Sequence, residues 1–142
     1  MKKTLLYILV IAGLISACND EQTYQEAPVG NTSKEMTTMQ WIDSARDFGK
    51  ITEGQILEVS FRFRNTGSKP LVIRGVHPGC GCTVANPPDK PIAPGAEGEI
   101  KGTFNSKGRP GVNHKEIDVE ANTAGDQHHK ITFSVEVLPE KK

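Results

Sequence analysis

Leu57-Glu58-Val59-Ser60-Phe61-Arg62-Phe63-Arg64 is the stretch of this chain that decides its fold. Apolar and polar side chains alternate through it without a break, at the period of two that marks a β-strand with one buried face. Successive residues of a strand point to opposite faces of the sheet. We therefore expect the two phenylalanines to lie in a core and the two arginines to face water.

The same alternation recurs on both sides of this strand. The other predicted strands cover residues 36–43, 71–76, 83–85, 99–104, 117–121 and 130–137, with a short strand or turn at 47–51. Turn residues separate these segments at intervals of about 8–12 residues, which is typical of a sandwich of about seven strands. No segment shows the period of an amphipathic helix. The sequence thus predicts an all-β, immunoglobulin-like Greek-key β-sandwich with two antiparallel sheets. The expected core residues are Phe61, Phe63, Phe104, Ile117, Ile131 and Phe133.

The N-terminus has the pattern of an export signal. Lys2 and Lys3 precede an apolar run over residues 4–14, which is shorter than the about 20 residues of a membrane span. The run leads into Ile15-Ser16-Ala17-Cys18, which resembles a bacterial lipobox. We expect residues 1–17 to be a lipoprotein signal peptide and Cys18 to carry acyl chains such as palmitate. The alternative is an ordinary signal peptide with a chance cysteine.

The segment after Cys18 is polar and has no periodicity, which is typical of a flexible linker. We therefore assign residues 18–35 to the lipidated cysteine and linker, and residues 36–139 to the sandwich domain. The expected location is the cell envelope, as a periplasmic or outer-membrane lipoprotein held to the membrane by its lipid anchor.

The charge balance argues against a nucleic-acid partner. The chain has 17 basic and 17 acidic residues, and loss of residues 1–17 would leave 15 basic against 17 acidic. Nucleic-acid binding needs a strongly basic surface, which this composition does not supply. The sequence also carries no phosphate-binding loop, carboxylate pair or Ser/His/Asp arrangement, so we expect no cofactor and no enzymatic activity.

Five short motifs in a fixed order resemble one family. They are Phe48-Gly49-Lys50-Ile51, Phe61-Arg62-Phe63-Arg64-Asn65-Thr66-Gly67, Pro70-Leu71-Val72-Ile73, Cys80-Gly81-Cys82-Thr83 and Pro91-Ile92-Ala93-Pro94-Gly95. The set resembles the bacterial domain-of-unknown-function family DUF1573, found in exported and lipid-anchored proteins of Bacteroidota. The resemblance covers about residues 38–138 and implies an immunoglobulin-like domain in the cell envelope. It implies no activity, because a fold alone does not supply one.

Cys80 and Cys82 are the residues with the most specific chemistry. In an extended strand their Cα atoms would lie about 6.6–7.2 Å apart, at the upper limit for a disulfide, so a turn through Gly81 would be needed to join them. The interpretation we rank first is a packing pair or structural disulfide, and the second is a redox-labile disulfide. The third is a soft-metal site for an ion such as Cu(I), with His77 as an added ligand.

Two functions remain open at this point. The first is a membrane-anchored, non-enzymatic module that binds a protein or glycan of the envelope, since exposed sheet edges can pair with an extended partner strand. The alternative is a thiol redox or copper-handling protein that uses Cys80, Cys82 and His77.

Overall fold

The computed structural model describes residues 35–140, and these residues form eight strands. The strands are β1 Met39–Trp41, β2 Ala45–Thr52, β3 Ile56–Asn65, β4 Ile73–Pro78, β5 Thr83–Asn86, β6 Glu97–Asn105, β7 Gly111–Ala121 and β8 His128–Leu138. They build two four-stranded sheets with the orders β1-β3-β6-β5 and β2-β8-β7-β4. The predicted β-sandwich is confirmed.

The predicted count of about seven strands is wrong, because the first part of the chain divides between the two sheets. β1 pairs with β3, and the amides of Ile42 and Asp43 then both donate to the carbonyl of Arg62. The chain next crosses to the other sheet, where β2 pairs with β8. That pairing is parallel, so the prediction of purely antiparallel sheets is also wrong.

The side chains of β3 alternate between the core and the solvent, as the sequence pattern predicts. Phe61 and Phe63 are fully buried, whereas the side chains of Arg62 and Arg64 are about half exposed. All six predicted core residues are buried, so that prediction is confirmed. Phe133 lies at the centre of the aromatic packing, with ring contacts to Phe48, Phe61 and Phe104.

One end of the sandwich, which we call the proximal end, is formed by residues 65–72, 92–96 and 121–127. Two fully buried asparagines join its loops. The Asn65 side chain donates to the carbonyls of Lys69 and Ile92 and accepts from Thr37. The Asn122 side chain accepts from the Val72 amide and donates to the carbonyls of Glu35 and Pro70. Residues 1–34 attach at this end, next to Glu35.

The opposite end, which we call the distal end, is formed by residues 53–55, 79–83 and 106–110. Among the described residues of the distal end, Ser106 is the one polar residue that is fully buried. Its hydroxyl donates to the carbonyls of Thr52 and Gln55. This contact joins the β2–β3 turn to the β6–β7 turn. The β4–β5 turn carries the two cysteines of the domain and completes this end.

The predicted signal peptide, Cys18 and most of the linker lie outside the described residues. Within residues 35–140, no helix is long and apolar enough to cross a membrane.

Candidate functional site

Cys80 and Cys82 are joined by a disulfide in the turn between β4 and β5. The amide of Gly79 donates to the Glu116 carbonyl, which is the last contact of this segment with β7. The Thr83 amide then donates to the Cys80 carbonyl and closes a tight turn, in which the two cysteine Cα atoms are 5.3 Å apart. The turn thus draws the cysteines closer than an extended strand would allow.

The expected need for a glycine between the cysteines is wrong. Gly81 does not adopt a positive φ, and a Cβ at this position would meet no atom within 4 Å. Other residues would therefore fit here. The reason for the short distance is the Cys80–Thr83 turn itself.

The third interpretation, a metal site with His77, finds no support in the geometry. No group of three or more His, Cys, Asp or Glu side chains within residues 35–140 is placed to hold a metal ion. The His77 ring instead folds over Gly75, where an added Cβ would lie 2.6 Å from its Nε2 atom. The disulfide also consumes both thiolates, which are the groups that would bind Cu(I). Nothing in the described part of the chain favours the thiol redox or copper alternative.

A second candidate site lies at the edge of β7, beside the disulfide turn. β4 covers β7 only over Ile117–Ala121, because the chain leaves β7 at Glu116 and crosses to the other sheet. The preceding part of β7, Gly111–Lys115, has no described strand on that side. We call this free edge, beside Gly111–Lys115, the β7 lane.

A similar free edge lies beside β3 at the same end of the molecule. β1 covers β3 only over residues 63–65, so the side of β3 next to Ile56–Ser60 has no described strand. We call this edge the β3 lane. Arg46 of β2 reaches into it, with its guanidinium donating to the Ser60 carbonyl at 2.9 Å and to the Ser60 hydroxyl at 3.2 Å. The same guanidinium lies 4.7 Å from the centre of the Phe48 ring.

The edge strands β2, β4 and β5 are blunted in ways that proteins use against unwanted strand pairing, although β8 over residues 128–131 and β6 over residues 97–100 run past β2 and β5. β2 has an irregular register between Asp47 and Lys50, where the Asp47 carboxylate accepts from the Gly49 amide. β5 has only four residues and runs into Pro87. β4 has a register shift near Gly75 and ends at Pro78.

The charges around the β7 lane differ from those elsewhere on the domain. Seven ion pairs among residues 35–140 link charged side chains on the sheet faces and loops. Lys107, Arg109 and Lys115 form none with any residue of the described range. Lys107 and Arg109 lie in the turn 106–110 that leads into β7, and the Nζ atom of Lys115 lies 5.7 Å from the centre of the Phe104 ring. Four acids lie near the lane. Glu53 accepts from the Gly108 amide and Asp47 from the Gly49 amide, whereas Glu116 and Glu136 pair with Lys130 and Lys50.

Two open depressions lie on the outer faces of the two sheets. One has a volume of about 580 Å³ and lies over β2, β8 and β7, and the other has about 620 Å³ and lies over β3, β6 and β5. The first contains His114, Ser134 and Asp47 in one cross-strand row. Serine rather than histidine stands in the middle of this row, and no hydrogen bond joins the three among the described residues. The row therefore lacks the geometry of a nucleophile and its base.

The two packed four-stranded sheets define an immunoglobulin-like β-sandwich. The chain belongs to the family described as protein of unknown function, DUF1573, whose model matches residues 39–137. The family resemblance in the sequence is thereby confirmed. A search of curated proteins finds no match.

Solved structures with the same fold come from bacteria and from human. A protein of unknown function from Porphyromonas gingivalis is 17% identical with a TM-score of 0.62, over 73% of this chain and 48% of that one. The present chain thus spans about half the length of that protein. PapD-like domain 7 of human CEP192 is 13% identical with a TM-score of 0.56, over 75% of this chain and 89% of that one. The secreted serine protease VesC of Vibrio cholerae is 12% identical with a TM-score of 0.54, over 74% of this chain and 24% of that one. At these identities the likeness shows the fold alone.

Sequence reasoning missed both the buried asparagines and the two lanes. An asparagine beside glycine or threonine is typical of a turn, so the sequence does not mark the side chains of Asn65 and Asn122 as buried. The lanes depend on where β1 and β4 end relative to β3 and β7, and one sequence does not give that register. Segment length was no signal either, since the predicted segments 57–64 and 117–121 are no longer than 36–43 and 71–76.

Proposed function

We propose that this protein is a lipid-anchored envelope protein whose sandwich domain is a non-enzymatic module that binds another protein through a sheet edge. The observation that carries the proposal is that β7 runs past the end of β4 and leaves a free edge beside Gly111–Lys115. Free strand edges present rows of main-chain donors and acceptors that an extended partner can use.

A protein partner fits the surface better than a glycan. Glycan sites rely on exposed aromatic rings that stack against sugar rings. Every aromatic side chain in residues 35–140 is buried or half-buried, including Trp41, which packs against Phe63 and His129. The domain therefore offers an edge to a polypeptide but no aromatic platform to a sugar.

A binding role also fits the chemistry of the described residues better than catalysis. Every buried side-chain nitrogen or oxygen in residues 35–140 has a hydrogen-bond partner. The described core therefore contains no unpaired polar side chain of the kind that often takes part in catalysis. The two depressions on the sheet faces are open, whereas catalytic sites are usually concave and enclosed.

The described residues begin at the proximal end, opposite the free edges of β3 and β7, since the Glu35 carbonyl accepts from buried Asn122 there. A lipid on Cys18 would hold that end toward the membrane through the linker. The distal end, with both lanes, would then face the envelope space and be open to a partner.

Two measurements in cells test this proposal. Labelling with an alkyne-modified palmitate should mark the wild-type chain and should be lost in Cys18→Ala, which should also leave the membrane fraction. A photo-crosslinking amino acid placed at Val112 or Ile56, at the two lanes, should give adducts with a protein, whereas the same group at exposed His128 on the proximal end should not. Absence of label would overturn the anchor, and absence of protein adducts from both lanes would overturn the binding role.

A further inference from the structure

We infer that the β7 lane is the docking edge and that its partner is an extended, acidic polypeptide segment that adds a strand next to Gly111–Lys115. This inference rests on the proposed function and names the edge and the chemistry of the partner.

The lane offers unused main-chain groups. Backbone groups of an antiparallel strand alternate between its two sides. The Glu116 carbonyl points toward the β4 side, where it accepts from Gly79, so the amides and carbonyls of His114 and Val112 point the same way. No described strand pairs with them there, and no side chain of the described range caps them. A partner strand could therefore form a short ladder in line with β4.

The charge beside the lane selects the partner. Lys107 and Arg109 are exposed, and Lys115 lies half-buried at the lane itself. None of these three cations pairs with an acid within residues 35–140, although most cations on the sheet faces do. Of the four nearby acids, Glu116 and Glu136 are already paired, so three cations without an ion pair in the described range stand against Glu53 and Asp47, and the balance is positive. Such a balance favours segments rich in aspartate and glutamate, and it raises their rate of association.

An exposed apolar side chain at the β7 lane also determines which partner segment fits. Val112 is 66% exposed, the highest value among the large apolar residues of the described range. It lies on the outer face of β7, opposite Glu136 on β8. A partner strand would place a side chain next to it, and a β-branched or aromatic residue there would bury apolar surface on both strands. The inferred segment thus alternates acidic and apolar residues.

The β3 lane is the alternative docking edge for a partner strand, and Arg46 makes it less suitable than the β7 lane. Its guanidinium already donates to the Ser60 carbonyl, in the place where the amide of a partner strand would donate. The residue that points outward at the centre of that lane is Glu58, which would repel an acidic segment. The two lanes therefore differ in both hydrogen bonding and charge.

The test uses the full-length protein in detergent micelles and synthetic peptides of about eight residues, the length of a long strand. The first peptide alternates glutamate and valine, the second has lysine in place of glutamate, and the third is the first with alternate amides N-methylated. Backbone NMR should show that the acidic peptide shifts and protects the amides of Val112 and His114. The affinity of the lysine peptide should be lower by a factor of about ten or more, since its positive charges are repelled by the basic turn. The N-methylated peptide should protect neither amide.

Matched variants separate main-chain pairing from charge. Val112→Pro removes an amide that points into the lane and leaves the β7–β8 ladder intact, so binding of the acidic peptide should fall about tenfold. Val112→Thr keeps the amide and the branched shape and should bind like wild type. The double change Lys107→Gln with Arg109→Gln should weaken binding and flatten its dependence on salt. Lys90→Gln removes an exposed cation of the β5–β6 loop, which also forms no ion pair in the described range, and should change nothing.

Three results would overturn the inference. The first is equal binding of the acidic and lysine peptides, and the second is protection at Glu58 rather than at Val112 and His114. The third is absence of binding by every peptide. The second result would leave the proposed function in place with a different edge, because crosslinks from Ile56 would then be the expected adducts. The proposed protein-binding role fails only if crosslinkers at both lanes give no protein adduct in cells.

Discussion

The two ends of the sandwich are built on different principles. At the proximal end β1 covers β3 and β4 covers β7, and fully buried Asn65 and Asn122 satisfy the loop backbone. At the distal end β3 and β7 both run beyond these partners, Arg46 occupies part of the β3 lane, and the disulfide turn takes the chain away from β7. The proximal end therefore joins its loops through buried side chains, whereas the distal end leaves main-chain groups of β7 for a partner.

The largest effect is expected in the core that both ends share. Phe61→Ala removes a fully buried ring that packs against Phe133, and it should lower the free energy of unfolding by about 3–5 kcal/mol. That loss is a large part of the 5–15 kcal/mol typical of a domain. Urea unfolding followed by circular dichroism measures it. A loss below about 1 kcal/mol, the level of an ordinary surface change, would mean that Phe61 is not in the core.

Removal of the proximal network should come next. Asn122→Ala leaves the Val72 amide and the carbonyls of Glu35 and Pro70 without their partner in a buried site, so we expect a loss of about 2–3 kcal/mol. Ser106→Ala at the distal end removes one donor shared by two carbonyls and should lower stability by about 1 kcal/mol. The same unfolding experiment compares the two variants. Equal losses would remove the contrast between the ends.

Loss of the disulfide should have a moderate effect on stability. Cys80→Ser with Cys82→Ser opens a very short loop, for which chain entropy predicts about 1–2 kcal/mol. The buried position of Cys82 adds a cost if its new hydroxyl finds no partner. We therefore expect a smaller loss than for Phe61→Ala. A larger loss would show that the turn holds the distal end together rather than only ending β4.

Acid should loosen the proximal end before the distal end. Burial lowers the pKa of His129 below its usual value of 6.5, although Asp126 opposes this shift. The His129 ring lies 2.8 Å from the Thr123 hydroxyl and faces Trp41. Because the unfolded chain binds this proton first, the contribution of His129 is complete above pH 6.5 and declines as the pH falls below that value. The protection factors of amides near Thr123, which correct for the intrinsic pH dependence of exchange, should fall over this range in wild type and much less in His129→Gln. Unchanged protection factors in wild type would contradict the account.

The smallest effect is expected on the exposed faces. Arg62→Ala removes an ion pair with Asp43 that is open to water, so the free energy of unfolding should stay close to the wild-type value. Lys107→Gln with Arg109→Gln should leave it equally unchanged, since neither cation forms an ion pair in the described range. These variants would then affect binding without affecting the fold. A large loss of stability in either would contradict that separation.

The sequence predicts the fold well where burial produces a periodic pattern. The alternation around Phe61 and Phe63 gives the strand, its inward face and the core, because a one-residue slip would expose every apolar side chain. The pattern does not predict that the chain changes sheets between Trp41 and Ala45, because the segment carries no feature that names its partner strand. The parallel pairing of β2 with β8 follows from that crossing and was missed for the same reason.

The candidate site was predicted only in part. Cys80 and Cys82 were expected to be a disulfide among other interpretations, and the structure joins them. The role of the turn, which takes the chain away from β7 at Glu116, depends on strand ends that a single sequence leaves open. That Lys107 and Arg109 form no ion pair within residues 35–140 depends on distances between side chains far apart in the sequence. Both features become visible only when the strands are in register.

Residue-level amide exchange along β7 of the free protein tests the central claim most directly. We predict an alternating pattern over Gly111–Lys115, with fast exchange at Val112 and His114, which point into the empty lane, and slow exchange at Asn113 and Lys115, which face β8. Further along, Asp118 should exchange slowly, because β4 covers that side of the strand. Slow exchange at Val112 and His114, equal to that at Asp118, would show that the lane is already filled and would contradict the account.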